Sequence, residues 1–260
     1  MNGVTIEHVT MVYGGRKPVT ALDDVTMEVG DGEFVSIVGA SGCGKSTLLN
    51  IVGGLIAPTR GTVLLDGQPI EGPGADRGMV FQSYTLYPWL NVRKNIEFGL
   101  SLGRVPKEKR RRVADDLIGQ MRLRGFEDAY PKALSGGMKQ RVAIARALAN
   151  EPRVLLMDEP FGALDAQTRT VMQELLLDIW DRRRTTVLFV THDIDEAIFL
   201  SDIVYVFSSR PGRLRLRLEI DLPRPRLLDV MSSPEFGAFK REVLGIIHGE
   251  SLKEAGLVDL

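Results

Sequence analysis

The residues Gly39-Ala-Ser-Gly-Cys-Gly-Lys-Ser-Thr47 decide the fold of this chain. They follow the apolar run Phe34-Val-Ser-Ile-Val38, which is typical of a strand buried on both faces, and they lead into a helical pattern. The fixed positions of the G-x-x-x-x-G-K-[ST] motif are Gly39, Gly44, Lys45 and Ser46. In this context the glycines let backbone amides converge on phosphate groups, and the helix start adds its own N–H groups. The sequence therefore predicts a phosphate-binding loop.

The whole loop is expected to contact the nucleotide, through Gly39, Ala40, Ser41, Gly42, Cys43, Gly44, Lys45, Ser46 and Thr47. Lys45 is predicted to reach the β- and γ-phosphates, and the Ser46 hydroxyl is predicted to bind Mg²⁺. Cys43 occupies a variable position of the motif. We interpret it as a small side chain that fills space rather than as a redox group.

The composition of the 260-residue chain, with 44% hydrophobic and 26% charged residues, is that of a globular protein with a sizeable core. Its 33 basic and 34 acidic residues give a net charge of −1, so no chain-wide field favours nucleic acid or an anionic membrane. The single cysteine excludes an internal disulfide framework and fits a reducing compartment. Secretory-signal and membrane-span patterns are missing, so we expect a soluble protein that meets membranes through partners or its surface.

Two adjacent acids, Asp158 and Glu159, follow a second apolar run, Val154-Leu-Leu-Met157. Nucleotide hydrolysis needs an anchor for the metal ion and a group that polarises the attacking water. We therefore predict that Asp158 holds Mg²⁺ through water and that Glu159, on the opposite face, acts as the general base.

A second glycine turn, Leu134-Ser-Gly-Gly-Met138, enters a helical pattern that continues to Leu148. The Ser135 hydroxyl with the amides of Gly136 and Gly137, at a helix N-terminus, would suit a terminal phosphate. Because the chain already has one phosphate loop, we interpret this second cradle as serving the nucleotide of another molecule.

The hydrophobic spacing indicates an α/β core interrupted by a helical insertion and followed by a tail. Helical spacing from Lys107 to Met121 separates the early β-type runs from the later runs Val154–Met157 and Thr186–Val190. In the tail, residues 214–222 alternate as in a half-buried strand, and Ser233-Pro-Glu235 is typical of a helix start. We divide the chain into a β region with the phosphate loop, a helical subdomain, the remaining core and a tail, with bounds 1–86, 87–149, 150–209 and 210–260.

The order of these motifs resembles that of the ATP-binding cassette ATPases. The resemblance spans residues 1 to about 210. It includes the phosphate loop, the Leu134–Met138 signature and the Leu155–Glu159 strand, and it adds three further elements. These are Gln82 after Met79-Val-Phe81, Asp165 in Ala163-Leu-Asp165, and His192. It implies a phosphate-loop fold with a mixed core sheet, an N-terminal antiparallel β region and an inserted helical subdomain. Met138 departs from the commonest signature, which has glutamine there.

The resemblance also implies roles for single residues. It gives Lys45, Gln82, Glu159 and His192 catalytic roles, with His192 at the γ-phosphate and Gln82 sensing both Mg²⁺ and the partner subunit. Tyr13 would stack on adenine, and Asp165 would communicate across a dimer. The cofactors implied are ATP and Mg²⁺. Cassettes of this family dimerise head to tail, so each ATP lies between the phosphate loop of one subunit and the signature of the other.

Three segments narrow the resemblance to the nitrate, sulfonate and taurine importers: Ser83–Val92, Asp158–Arg169 and Ser208–Arg213. Members of that group are peripheral ATPases on the cytoplasmic face of the bacterial inner membrane. Their partners are a second ATPase subunit, permease subunits and, indirectly, a solute-binding protein. The aromatic and apolar cluster from Tyr84 to Leu90 would suit docking of a permease helix or, alternatively, ordinary packing within the subdomain.

Other classes of phosphate-loop protein fit less well. A GTPase switch would need an Asn-Lys-x-Asp element, which the sequence lacks. A chromosome-maintenance protein would place a long coiled coil between loop and signature, whereas Lys45 to Ser135 spans only 135 − 45 = 90 positions. Translation factors of the family carry two cassettes. Nucleic acid is therefore disfavoured as a partner, and an ATPase of lipid or drug export is the main alternative to import.

Overall fold

The computed structural model describes residues 3–254. Within this range the chain forms ten strands: β1 Gly3–Tyr13, β2 Val19–Gly30, β3 Phe34–Val38, β4 Arg60–Leu65, β5 Gln68–Pro69, β6 Arg77–Val80, β7 Val154–Asp158, β8 Thr186–Val190, β9 Ile203–Phe207 and β10 Leu214–Glu219. The same range forms seven α-helices: α1 Lys45–Val52, α2 Val92–Leu102, α3 Lys107–Gln120, α4 Gly136–Leu148, α5 Ala166–Arg183, α6 Ile194–Leu200 and α7 Pro234–Glu254. Residues 255–260 of the predicted tail lie outside the described range.

The chain folds as two compact units. The first contains the described residues up to Gly74 together with those from Arg184 onward, and the second is Ala75–Arg183. The four sequence segments proposed above remain a prediction.

The first unit contains two kinds of sheet. One is antiparallel in the order β2-β1-β4-β5. In the other, the order is β10-β9-β3-β8; β9, β3 and β8 are parallel, and β10 is antiparallel to β9. Every residue of β3, β8 and β9 is buried, which explains why their sequences are almost uninterrupted apolar runs. The predicted antiparallel β region and mixed core sheet are confirmed.

The N-terminal strands are longer than the sequence pattern indicated. The pattern marks only Val4–Val9 and Val25–Val29 as strands, whereas β1 and β2 extend well beyond both runs. Register irregularities between Ile6 and Val9 and between Val9 and Met11 interrupt the two-residue alternation of β1. The pairing continues past these irregularities, so hydrophobic alternation alone underestimates the length of the strand.

The tail packs onto α6 through buried and surface cations. Arg226 is 5% exposed. Its guanidinium donates to five carbonyl oxygens, those of Ile198, Phe199, Ser201, Ile220 and Leu222, at 2.7 to 3.4 Å. The Nζ of Lys240 in α7 donates to Asp195 Oδ2 at 2.8 Å. The Ser233 hydroxyl caps the start of α7 by accepting from the amide of Phe236 at 3.1 Å, as the Ser-Pro-Glu pattern predicts.

The second unit combines a parallel strand pair, β6 and β7, with α2 to α5. The observed α3 ends one residue before the predicted end at Met121, and its buried face contains Ala114, Leu117 and Ile118. Helix α2 packs against both α3 and α4. The inserted helical subdomain that the sequence predicts is thus present in this unit.

Candidate functional site

The predicted phosphate loop connects β3 to α1, and α1 begins at Lys45. Gly44, just before it, has a φ of 99°. A Cβ atom at this position would lie 2.6 Å from the carbonyl oxygen of Ala21, so only glycine fits. The chain can therefore turn directly into the helix whose first amides are the predicted phosphate ligands.

The Lys45 ammonium lies inside the loop. The residue is 5% exposed, and its Nζ donates to the carbonyl oxygens of Gly39 at 2.8 Å and Ala40 at 3.0 Å. Ser41, Gly42 and Ser46 are exposed around it, and Thr47 is half-buried. The loop thus places one positive charge among exposed residues, which is an arrangement suited to an anionic ligand.

Cys43 is buried within the same loop. It is 1% exposed, and its Sγ lies 3.9 Å from Lys45 Nζ. Burial raises the pKa of the Cys43 thiol, although the nearby Lys45 charge opposes the shift. A buried thiol that resists ionisation supports our interpretation of Cys43 as a packing residue.

Tyr13, at the end of β1, comes close to the phosphate loop although it lies 34 positions away in sequence. Its hydroxyl is 3.2 Å from the Thr47 hydroxyl, and the residue is 43% exposed. The contact places an exposed aromatic ring beside the last residue of the loop. Such a ring can stack on a nucleotide base.

Asp158 and Glu159 lie where the sequence predicts, at the end of β7 in the second unit. Glu159 has a φ of 41°, a strained value for a residue with a side chain, and such strain is commonly found at functional positions. Gln82 Nε2 donates to Glu159 Oε2 at 3.4 Å. The fold therefore brings together two residues that are 77 positions apart. The sequence alone connects them only through the family resemblance.

The signature turn forms the capped start of α4. The Ser135 hydroxyl accepts from the Met138 amide at 3.3 Å, and Gly136 and Gly137 are the first helical residues. Ser135 is exposed, and of the first two residues of this 13-residue helix Gly136 is half-buried and Gly137 is buried. The anion cradle predicted from the sequence has the required helical geometry.

Asp165 and His192 each precede a helix. Asp165 Oδ1 accepts from the amide of Thr168 at 2.9 Å, and hydrogen bonds from Thr168 lower the pKa of Asp165. His192 is exposed and directly follows Thr191, whose hydroxyl lies 2.5 Å from Glu196 Oε2. Asp193 caps α6 by accepting from the Glu196 amide at 3.1 Å. Both neighbours of His192 are thus held in place, and His192 itself is exposed.

Two further general features concern metals and membranes. Among residues 3–254, no group of three or more histidine, cysteine, aspartate or glutamate side chains is arranged to hold a metal ion. No helix in the described part of the chain combines the length and apolar character needed to cross a membrane.

Comparison with known proteins places the chain in a family. The family model described as ABC transporter matches residues 22–162, which is more than half of the sequence. The chain belongs to the ABC transporter family. The predicted resemblance to ATP-binding cassette ATPases is therefore confirmed: the chain, called the ABC protein below, is a cassette ATPase.

Individual relatives are similar along most of their length. The nitrate import ATP-binding protein NrtD of Synechocystis sp. is 50% identical to this ABC protein over 247 residues, which cover 93% of either chain. The taurine import ATP-binding protein TauB of Rhizobium johnstonii is 45% identical over 259 residues, covering 96% of this chain and 98% of that one. These names confirm the predicted similarity to the nitrate, sulfonate and taurine group.

A solved structure confirms the fold class. This ABC protein matches the dimeric structure of a post-hydrolysis state of an ATP-binding cassette bound to ADP and Pi. The TM-score is 0.74 and the identity 36%, over 85% of this chain and all of that one.

Sequence reasoning missed one cation of the ABC protein, Arg146 in α4. Its Nη1 donates to the Thr85 carbonyl at 2.7 Å and its Nη2 to the Thr85 hydroxyl at 2.9 Å. Thr85 has a φ of 45°, which is unusual for a β-branched residue. Burial lowers the pKa of Arg146, whose guanidinium lies 5.4 Å from the centre of the Tyr87 ring. Arg146 therefore ties the signature helix to the segment that follows Gln82, a contact without any local sequence signal.

Proposed function

We propose that the chain is the ATP-hydrolysing subunit of an ABC import system for solutes of the nitrate, sulfonate or taurine type. It would act as a peripheral subunit on the cytoplasmic face of the bacterial inner membrane. The observation that carries the nucleotide-binding part is the Lys45 ammonium inside a loop that ends in a helix N-terminus. The names of the nitrate and taurine relatives support import as the direction of transport.

Nucleotide binding is assigned to the loop and to Tyr13. The backbone amides of the exposed residues Ser41 and Gly42, together with the amides at the start of α1, would supply donors for phosphate oxygens. Lys45 supplies a positive charge for the β- and γ-phosphates. The position of Tyr13 beside Thr47 supports stacking on adenine.

The proposed Mg²⁺ ligands fit the chemistry of this ion. Ser46 offers a hydroxyl oxygen, Gln82 an amide oxygen and Asp158 a carboxylate, and magnesium prefers hard oxygen ligands of this kind. The contact between Gln82 and Glu159 is made by Nε2, the donor end of the amide, which leaves the oxygen end for a metal. When bound, Mg²⁺ would neutralise charge on the phosphate oxygens.

Hydrolysis is assigned to Glu159, which would accept a proton from the attacking water as the water bonds in line to the γ-phosphorus and the bond from that phosphorus to the ADP oxygen breaks. The carboxylate is held by a strained backbone and by its contact with Gln82, so both supports would limit its freedom. Lys45 would stabilise charge on the transferred phosphoryl group, and the exposed His192 would contact the γ-phosphate. Phosphate release would then reopen the site.

The second glycine cradle supports a head-to-tail homodimer. This cradle is the capped helix start formed by Ser135, Gly136 and Gly137, and it is separate from the phosphate loop at residues 39–47. We therefore assign it to the γ-phosphate of the ATP held by a second subunit. Asp165 immediately precedes α5 and would communicate across that interface. The matching solved structure is likewise dimeric.

Reconstitution of the ATPase with its permease in liposomes tests the function. We expect ATP turnover to rise when a binding protein loaded with nitrate, taurine or an alkanesulfonate is supplied on the outside, with the solute accumulating inside. A system that exports lipid or drug would show turnover independent of any binding protein. Co-purification with ribosomes or DNA instead of a solubilised permease would contradict the proposal.

The aromatic cluster next to Gln82 is the proposed permease-docking surface. Trp89 is 70% exposed, although Tyr87 contacts both Trp89 and Phe98 with ring centroids 5.6 and 4.3 Å apart. Asn95 is fully buried and shapes this segment by hydrogen bonding to the backbone of Tyr87 and Leu90. A large aromatic side chain that packs against an ordered segment but remains mostly exposed is more typical of an interface than of a core.

Replacement of Trp89 by alanine should weaken permease binding roughly tenfold or more, as expected for an exposed aromatic hot spot. The measurement is the fraction of ATPase retained on immobilised, detergent-solubilised permease at increasing ATPase concentration. ATP affinity should stay unchanged. Phe126→Ala is the control, since Phe126 is 43% exposed in the same unit but lies outside the aromatic cluster. Normal assembly by Trp89→Ala would contradict the docking role. A loss of folding in this variant would support a packing role instead.

A further inference from the structure

The segment Ser208–Arg213, between β9 and β10, forms a closed loop that the proposed mechanism does not use. Its ends pair through the Ser208 amide and the Arg213 carbonyl at 2.9 Å. The Ser208 hydroxyl donates to the Pro211 carbonyl at 2.8 Å and accepts from the Arg213 amide at 2.9 Å. These bonds give the 208–213 loop a fixed shape independent of any ligand.

The 208–213 loop packs directly against the phosphate loop. Gly212 donates its amide to the Ala21 carbonyl at 2.9 Å, and its own carbonyl accepts from the Asp23 amide at 3.0 Å. A Cβ atom at Gly212 would lie 2.0 Å from the Cys43 carbonyl oxygen, so no larger residue fits between the two loops. The approach of the two backbones thus depends on this glycine.

Arg210 makes the polar contact between these loops. Its Nε and Nη2 each lie 3.3 Å from the carbonyl oxygen of Gly42. The residue is exposed and borders a cavity of about 620 Å³ together with Pro211. Because the side chain has space on this side, the hydrogen bonds to Gly42 hold it in place more than packing does.

The contact fixes one peptide plane at the crest of the phosphate loop. The carbonyl of the Gly42–Cys43 peptide accepts from Arg210, while the N–H of the same peptide donates to the Ala40 carbonyl at 3.3 Å. A peptide unit is planar, so holding both of its polar groups sets its orientation. The amides of Gly44 and Lys45, at the start of α1, directly follow this fixed peptide.

We propose that Arg210 is a positioning residue for nucleotide binding, which it supports by holding the phosphate loop in its ligand-ready shape. This inference rests on the proposed function, in which the loop binds the phosphates of ATP. A loop that is already ordered loses less conformational entropy on binding. Arg210 would therefore act mainly on the affinity for ATP and little on the chemical step.

The test is ATPase kinetics of Arg210→Ala and Arg210→Lys. We expect Arg210→Ala to raise KM for ATP about three- to tenfold, in line with an exposed charged hydrogen bond, with kcat within about twofold of wild type. Equilibrium titration with a fluorescent ATP analogue should show the same loss of affinity. Lysine keeps a donor near Gly42 and should recover part of the affinity, which also shows that any loss does not come from failure to fold.

Arg213→Ala is the matched control. Arg213 lies in the same loop, is likewise exposed and has the same charge, but its Nε donates to Asp23 Oδ2 at 3.0 Å rather than to the phosphate loop. We expect its KM to equal that of wild type. An equal rise in KM for both variants would mean that bulk charge attracts ATP and would overturn the inference. An unchanged KM in Arg210→Ala, with or without a lower thermal midpoint, would overturn it as well.

The two levels of hypothesis can be separated. A wild-type chain that fails to bind ATP would refute the proposed function itself. A wild-type chain that binds ATP beside an Arg210→Ala variant of equal affinity would refute only the role of Arg210.

Discussion

Replacing Glu159 by glutamine is expected to lower kcat about 10²- to 10⁴-fold, the contribution typical of a positioned general base. ATP affinity should remain near that of wild type, because the amide is nearly isosteric with the carboxylate. Glutamine cannot take the proton of the attacking water, so the ATP-bound state should accumulate. The strained backbone at residue 159 does not change with this substitution, which isolates the chemistry from the fold.

Two measurements check this expectation. Steady-state phosphate release gives kcat, and size-exclusion chromatography with Mg·ATP should show a persistent dimer of the variant. Glu151→Gln is a close control, since Glu151 is an exposed glutamate with a φ of 50° in the same unit but outside the nucleotide motifs. Glu151→Gln should hydrolyse ATP normally. Hydrolysis by Glu159→Gln at a comparable rate would refute its assignment as the base.

Replacing Lys45 by alanine should abolish nucleotide binding at ordinary concentrations. Losing a largely buried charge that meets the phosphates costs about 2 kcal/mol or more, which is roughly a thirtyfold or larger loss of affinity. The same change removes the donor to the carbonyls of Gly39 and Ala40, so the loop itself loses internal support. Both effects act in the same direction.

Lys45→Met removes the ammonium, with its charge and its hydrogen bonds to Gly39 and Ala40, but keeps much of the apolar stem of lysine, so it separates the loss of the ammonium from the loss of packing. Equilibrium titration with labelled ATP measures the affinity, and thermal unfolding reports on the fold. Lys109→Ala serves as the control for net charge, since Lys109 is exposed on α3. ATP affinity close to wild type in Lys45→Met would rule out the assigned role of the ammonium.

The strands that surround the phosphate loop were predictable because burial leaves a plain signal. The apolar runs 34–38 and 186–190 coincide with β3 and β8, where every residue is buried. The tail strand is less simple. The alternation continues to Leu222, but β10 ends at Glu219, and the carbonyls of Ile220 and Leu222 bond to Arg226 instead of to a neighbouring strand. The strand therefore ends three residues before the alternation does, and the bonds from Arg226 are a long-range contact that alternation cannot predict.

The site was predictable where its motifs are local and unpredictable where its contacts are long-range. The glycines and Lys45 of the phosphate loop follow from one nine-residue stretch. The contact of Arg146 with Thr85 joins residues 61 positions apart, and that of Arg210 with Gly42 joins residues 168 apart. Arginines on the surface are common in any sequence. Only the fold shows which of them meets a particular carbonyl.

Arg226 limits how far the C-terminal segment of the chain can be shortened. Its guanidinium bonds three carbonyls at or just beyond the end of α6, and that helix begins two residues after His192. Shortening the chain to before residue 226 would strip these carbonyls of a donor, at about 1–3 kcal/mol for each one left unsatisfied. Fusions placed after residue 254 would leave every one of these bonds intact. The tolerance of the protein to truncation is therefore set by a helix some 25 residues upstream of the cut.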